Sequence, residues 1–200
     1  AVGITCHKLG EAEIMARAGI RDIFLPYNLV GEHKLERLVR LARRASISVT
    51  EDSEAVVSGL SAAAFHANVT LPVLVECDTG GKRCGVQSPG EAADLARLIA
   101  RSPGLCFGGL MTHPCPEGLD AFVLRTRDLL AADGIVVGRV SAGGTPCMGQ
   151  AHTVSTLTEY RAGTYVYGDR YTLKSGAMRL EDCAFTVIAT VVSRPTPERC

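Results

Sequence analysis

The chain has 200 residues, of which 46% are apolar and 21% charged, a composition that suits one globular unit with a sizeable core. Its 21 basic side chains balance 21 acidic ones, which argues against a nucleic-acid or anionic-membrane partner. No apolar run approaches the ~18 residues of a membrane-spanning helix, and no charged stretch leading into an apolar one marks a secretory leader.

In chain order, short β-rich runs alternate with helical patterns. The first strand candidate, 2–6, is followed by the lone Gly10 rather than by a glycine-rich turn. The second, 22–26, ends at Tyr27-Asn28. Leu35, Leu38, Val39 and Leu41 then recur at helical spacing among Arg37, Arg40, Arg43 and Arg44. A third at 46–50 runs into Glu51-Asp52, and a fourth at 72–77 runs into Asp78-Thr79-Gly80-Gly81. Ser88-Pro89-Gly90-Glu91 is a capping box with proline at the first helical position, opening a helix over 91–100. The fifth candidate, 105–112, ends at His113, and Phe122, Val123, Leu129 and Leu130 mark a helix stopped by Gly134. The sixth, 136–141, gives way to Ala142-Gly143-Gly144-Thr145, and the seventh, 164–167, to Gly168-Asp169.

A β-α alternation repeating about every 30 residues predicts an α/β fold with a parallel sheet and right-handed crossovers. An open doubly wound sheet usually carries a glycine-rich turn after its first strand. A TIM-like (β/α)8 barrel places polar sequence after every strand, as this chain does, so a barrel is the expected architecture. Such a barrel has about 250 residues and eight strands. Seven candidates are found here, so an incomplete barrel lacking its first βα unit is expected over 1–180. The opening without Met inside an apolar segment places the missing unit at the front, and both ends read as cut. The run 184–193 is β-branched with no helix after it, so 181–200 reads as the start of a C-terminal all-β domain. The eight cysteines never form C-x-x-C, which predicts reduced, mostly buried thiols and a cytoplasmic protein.

Four segments could carry chemistry. In 75–85 a strand enters a turn with two acids, three glycines and Arg83, a planar donor fork; the same pattern also suits an ordinary loop with solvated charges. Ser141-Ala142-Gly143-Gly144-Thr145-Pro146 offers backbone N–H groups and hydroxyls to a phosphate, in the second-to-last loop of the barrel. Glu159-Tyr160-Arg161-Ala162-Gly163-Thr164-Tyr165 could complete that anion site, or could end a helix at Gly163. His113 stands at a strand end, where either a structural or a functional role fits. His7, His33, His66 and His152 have no metal-ligand spacing, and no metal site is expected within the chain.

Taken together, these motifs resemble the fold-type III pyridoxal 5'-phosphate (PLP) enzymes, the group of alanine racemase and the D-threonine aldolase / D-serine dehydratase family. The likeness runs from Gly3-Ile4-Thr5 and Gly10-Glu11-Ala12-Glu13 through Glu76-x-Asp78-x-Gly80-x-x-Arg83-x-Gly85 to Thr112-His113. Ser141-x-Gly143-Gly144-Thr145-Pro146 and Glu159-x-Arg161-x-Gly163-Thr164-Tyr165 follow at family spacing. The first of these and the run 186–195 are similar to the D-threonine aldolase branch rather than to alanine racemase.

The resemblance implies that Arg83 holds the cofactor's phenolic oxygen, His113 packs against its ring and Arg161 faces the pyridine nitrogen. Ser141, Gly144, Thr145, Gly163 and Thr164 would form the phosphate cup, with Gly143 and Tyr165 counted in the same cofactor-binding set. The family's Schiff-base lysine would lie upstream of Ala1, because Lys8, Lys34, Lys82 and Lys174 match no lysine motif. No catalytic residue is therefore assigned within the chain. A divalent metal of the aldolase and dehydratase branch would be held by residues beyond Cys200. The segment 112–116 departs from the glycine-containing loop common in that branch. The implied activity is a PLP-dependent lyase acting on D-β-hydroxy amino acids, homodimeric when intact and inactive as this piece. An amino-acid racemase, a non-catalytic PLP-binding module and a barrel for another phosphate ligand are the alternatives. An open edge beside the missing strand implies poor solubility.

Overall fold

The computed structural model describes residues 2–114 and 118–199. Ala1, Cys200 and the Cys115-Pro116 end of the 112–116 motif lie outside the described residues. Strands β1 (Ile4–Thr5), β2 (Asp22–Leu25), β3 (Ser46–Glu51), β4 (Leu71–Glu76), β5 (Leu105–Met111), β6 (Val140–Gly143) and β7 (Glu159–Arg161) alternate with helices. The helices are α1 (Leu9–Arg17), α2 (Glu32–Ala42), α3 (Glu54–His66), α4 (Pro89–Arg101), α5 (Leu119–Ala131) and, after β7, the short α6 (Arg170–Lys174).

All neighbouring strands pair in parallel, in the order β1 to β7. A doubly wound sheet would reverse its order at a switch point; sequential order is that of a barrel. Alternate residues explain the two layers. Ile23, Leu25, Ile47, Val49, Val73, Val75, Val140 and Ala142 face the helices and join the main apolar core. Phe24, Leu74 and Met111 form a separate cluster inside the curve. Side chains also meet across that interior. Arg139, just before β6, lies over the Phe24 ring at 4.7 Å and donates to Ser48 Oγ of β3 at 3.1 Å. Gly109 lets β5 approach the Arg139 backbone, since its φ of +126° and a clash with the Arg139 carbonyl would exclude a side chain. β1 and β7 stand at opposite ends of the strand order and are not paired with each other.

The seventh strand is not where β propensity placed it. Residues 164–167 were expected to pair, but Thr164–Val166 is a 3-10 turn, and the strand is Glu159–Arg161, in register with Ser141–Gly143. Glu-Tyr-Arg lacks strand character because its inward face is charged, whereas Thr-Tyr-Val-Tyr carries the β-branched and aromatic residues that propensity rewards. β6 likewise begins later than expected, at Val140. The run 184–193 has no sheet partner among the described residues, and its apolar side chains stand in solvent, Ile188 at 98% and Val192 at 92% exposure. Among the described cysteines only Cys6 and Cys77 are buried and Cys106 is exposed, so the thiols are free but not mostly buried.

The Ser88 capping box forms as expected: Ser88 Oγ accepts from the Glu91 N–H, and Glu91 Oε2 accepts from the Ser88 N–H at 3.1 Å. Ser88→Ala should cost about 1 kcal/mol, read as a lower urea midpoint with an unchanged slope. Asp120, in the first turn of α5, accepts from the N–H and hydroxyl groups of both Ser155 and Thr156. Those bonds, the Thr156 hydroxyl foremost, pull its carboxyl down to about 2 and anchor the loop that delivers β7.

Candidate cofactor site

A pocket of about 760 Å³ opens at the C-terminal ends of the strands. Gly3–Thr5 form one wall, β7 and residues 162–165 the other, and Phe24 and Met111 the floor. Because β1 and β7 are the two ends of the sheet, the pocket continues down between them to Asp22, Arg139 and Glu159. Arg83, His113, Gly144, Thr145, Arg161, Gly163, Thr164 and Tyr165, all expected from sequence, line it.

Ser141 and Gly143, expected in the phosphate cup, are not among the residues that line it. Ser141 is fully buried below the pocket; its hydroxyl donates to the Glu159 carboxylate and accepts from Arg161. A hydroxyl so engaged holds an arginine instead of a phosphate. Gly143 lies in the β6–β7 ladder, and a Cβ there would come within 2.8 Å of the Arg161 carbonyl oxygen. The Gly144 N–H is also taken, by the same carbonyl at 3.1 Å.

A chain of charges runs along the pocket's lower wall. Arg139 grips Glu159 with two parallel bonds, Nε to Oε2 at 2.8 Å and Nη2 to Oε1 at 2.9 Å. Glu159 accepts from Ser141, Ser141 accepts from Arg161, and Arg161 Nη2 donates to the Thr112 carbonyl at 3.0 Å. The Arg161 guanidinium also lies over the Phe24 ring at 5.5 Å. Burial works against the charge on Glu159, but the bonds from Arg139 and Ser141 outweigh it and hold the carboxyl below its usual range. Burial, with Arg139 nearby, pushes Arg161 down to about 10, partly opposed by Glu159. Arg161 is thus a cation at neutral pH, fixed in direction.

Anion chemistry has a separate place in the pocket. Thr145 and Thr164 are the first residues of two 3-10 turns, where N–H groups lack intrahelical partners. The Thr145 hydroxyl is buried and has no hydrogen-bond partner among the described residues. A buried unpaired donor is costly, and a phosphate oxygen would satisfy it. The residues present therefore fit a phosphate-bearing ligand, with the Arg161 cation lining the same pocket. Burial, then the charges of Arg83, Arg161 and His7, push His113 below its ordinary value, favouring a neutral ring that can lie against an aromatic plane.

The acids of 75–85 have structural tasks. Asp78 closes its own turn by accepting from the Gly80 and Lys82 N–H groups, each at 3.0 Å. Glu76 is buried and accepts the Cys84 thiol at 3.0 Å. Arg83 projects over the Tyr27 ring, 5.6 Å from its centroid. Among the described residues no group of His, Cys, Asp and Glu could hold a metal, and no helix is long and apolar enough to cross a membrane.

A family model described as "Alanine racemase, N-terminal domain" matches residues 1–171. The chain belongs to that family. Among its relatives, the D-threonine aldolase of Arthrobacter sp is 35% identical, across 98% of this chain and 56% of that one. The D-threo-3-hydroxyaspartate dehydratase of Delftia sp. (strain HT23) is 33% identical, across 96% and 54%. The crystal structure of the D-threonine aldolase from Filomicrobium marinum superposes with a TM-score of 0.75 at 31% identity, covering 91% of this chain and 53% of that one. The chain thus spans about half the length of the curated relatives it matches. The resemblance seen in the motifs is confirmed, as is the incomplete barrel.

Sequence reasoning missed several pocket residues of this family member. Arg139 precedes its strand and belongs to no motif, and Phe24 reads as ordinary strand core. Glu159 was visible in its motif, but its pairing with Arg139 depends on the β6–β7 register. His7 and Tyr27 follow strands, and that position was their only signal.

Proposed function

We propose that this chain supplies most of the PLP-holding barrel of a lyase that acts on D-β-hydroxy amino acids. The observation that carries this reading is the buried, unpaired Thr145 hydroxyl in a pocket lined by Arg161, within a family whose relatives named above are an aldolase and a dehydratase. Thr145, Gly163 and Thr164 would hold the phosphate, with Gly144 and Tyr165 shaping that end of the pocket. Arg161 would face the pyridine nitrogen, His113 would pack against the ring and Arg83 would meet the phenolic oxygen. When bound, PLP supplies an electron sink for bonds broken at the substrate's Cα. Arg161, already cationic and held by Ser141 and Thr112, disfavours protonation of the ring nitrogen and moderates that sink.

None of Lys8, Lys34, Lys82 and Lys174 lines the pocket. The Schiff-base lysine would come from a strand preceding Ala1 and seated between β1 and β7. The exposed run 184–193 would begin a C-terminal β domain, which would bring the divalent metal and the remaining catalytic groups. A cytoplasmic homodimer acting on small D-amino acids completes the proposal. The 200-residue chain should show no turnover of D-threonine or D-serine. A chain extended upstream through the next βα unit should gain the absorbance of lysine-bound PLP, fixed by borohydride reduction. Turnover by the 200 residues alone, or no PLP band in the extended chain, would overturn this reading.

A further inference from the structure

We propose that the outer face of the barrel carries a binding site for a small polyphosphate, a basin in which six arginines surround one carboxylate. The site stands independently of the function proposed above. The basin has a volume of about 780 Å³ and is lined by Arg17, Arg21, Arg37, Arg40, Arg43 and Arg44. It lies where α1 and α2 end and β2 and β3 begin, away from the strand ends that carry the cofactor pocket. Glu13 is the one acid among the lining residues, and Arg37 grips its carboxylate with two bonds, at 2.9 and 2.7 Å. The Arg37 bond foremost, with the charges of Arg17 and Arg40, holds Glu13 below its usual range, so it contributes one full negative charge.

The other guanidiniums are oriented without being neutralised. Arg17 Nε donates to the Glu13 carbonyl at 3.2 Å, Arg21 Nη1 to the Arg44 carbonyl at 2.6 Å and Arg43 Nη2 to the Ala67 carbonyl at 2.7 Å. A carbonyl partner fixes a guanidinium but cancels no charge. Arg40 and Arg44 are exposed, and neither side chain makes a hydrogen bond or ion pair among the described residues. A helix C-terminus favours a cation in its last turn, and Arg17 and Arg40 fill that place on α1 and α2. The rest of the cluster has no such explanation. Arg37 and Arg40 stand three residues apart on α2 and Arg44 follows one turn later, spacings at which like charges destabilise a helix. The fold thus keeps a concentration of positive charge that its own stability does not favour. A basin of this size suits a small molecule, and guanidinium forks match pairs of phosphate oxygens. No aromatic side chain is among the lining residues, so recognition falls on a phosphate chain rather than on a stacked base.

Calorimetric titration of inorganic triphosphate into the protein tests the site, in about 0.15 M salt, where attraction between exposed charges fades beyond about 8 Å. Binding with a dissociation constant on the order of 10 μM is expected. Saturating pyridoxamine 5'-phosphate should leave that affinity unchanged, because the two ligands occupy different pockets. Arg40→Ala/Arg44→Ala should weaken triphosphate binding by about tenfold or more. Neither side chain is bonded within the fold, so the thermal midpoint without ligand should not fall. Arg101→Ala/Arg125→Ala, which removes two exposed arginines elsewhere, should leave binding as it is. Adenosine triphosphate should bind within about threefold of inorganic triphosphate, as expected of a free polyphosphate site. A nucleotide more than about tenfold tighter would assign the same phosphate-chain site to nucleotides instead. Absence of triphosphate binding, competition with pyridoxamine 5'-phosphate, or equal weakening by the two double variants would overturn the site. So would an affinity that survives the loss of Arg40 and Arg44.

Discussion

Glu159→Ala should lower the stability of the protein by about 2–3 kcal/mol, because it leaves Arg139 and Arg161 facing each other inside the barrel with no anion between them. The figure is set below that for a fully buried pair, since the Arg139 and Glu159 side chains keep 29% and 25% of their exposure through the gap between β1 and β7. Denaturant midpoints of Glu159→Ala, Arg139→Met and the double variant would measure it. Arg139→Met/Glu159→Leu should recover part of the loss, because it removes one of the two cations that Glu159→Ala leaves facing each other, and Arg161 remains. The acid limb of stability has a definite sign as well. The Glu159 carboxyl is held below its usual value in the fold, so its contribution is present above the unfolded value. It is lost as pH falls through the lower folded one. Glu159→Ala should weaken pyridoxamine 5'-phosphate binding by about tenfold or more, through loss of the carboxylate that orients the Ser141 hydroxyl toward Arg161. An unchanged affinity would show that Arg161 needs no such support.

Glu51→Gln should stabilise the protein at pH 8 and leave it nearly unchanged at pH 5. Glu51 ends β3 on its outward face, in register with the core residue Val75. It is fully buried, and neither carboxyl oxygen makes a well-formed hydrogen bond among the described residues. Burial, then the neighbouring Asp52 carboxylate, pushes it up to about 9. The folded state therefore keeps a proton that the unfolded chain releases near the ordinary carboxylate value. Stability then falls as pH rises through that window, by at most ~1.4 kcal/mol per pH unit for one group. Thermal melts of the two proteins between pH 5 and 8 should diverge steadily, the wild type falling faster. Parallel curves would mean that Glu51 is ionised in the fold.

The site was legible in sequence wherever one residue type performs one local task. Arg161, His113 and Thr145 could be chosen because a strand followed by small or polar residues delivers its side chains to the C-terminal face of a barrel. What the Ser141 hydroxyl touches was not legible, because its two partners, Glu159 and Arg161, both approach from β7. The same strand was displaced from its expected position, since an inward face of Glu and Arg looks like a loop until Arg139 and Ser141 are opposite it. Nothing local distinguishes Glu51 from the half-buried acid beside it, Asp52, which is held by Asn28 and the Gly85 N–H. Only the packing of the outer layer reveals that one carboxyl has been closed off from water.

By itself, the sequence determined the β-α alternation, the incomplete parallel barrel and the family, because hydrophobic period, helix caps and motif spacing are properties of short segments. The tertiary structure alone decided the register of β7 and the Arg139–Glu159–Ser141–Arg161 chain. Those depend on which residues of distant strands face one another, and in a parallel sheet the partners are separated by whole βα units. Local pattern does not carry that information; the closing curve of the sheet does.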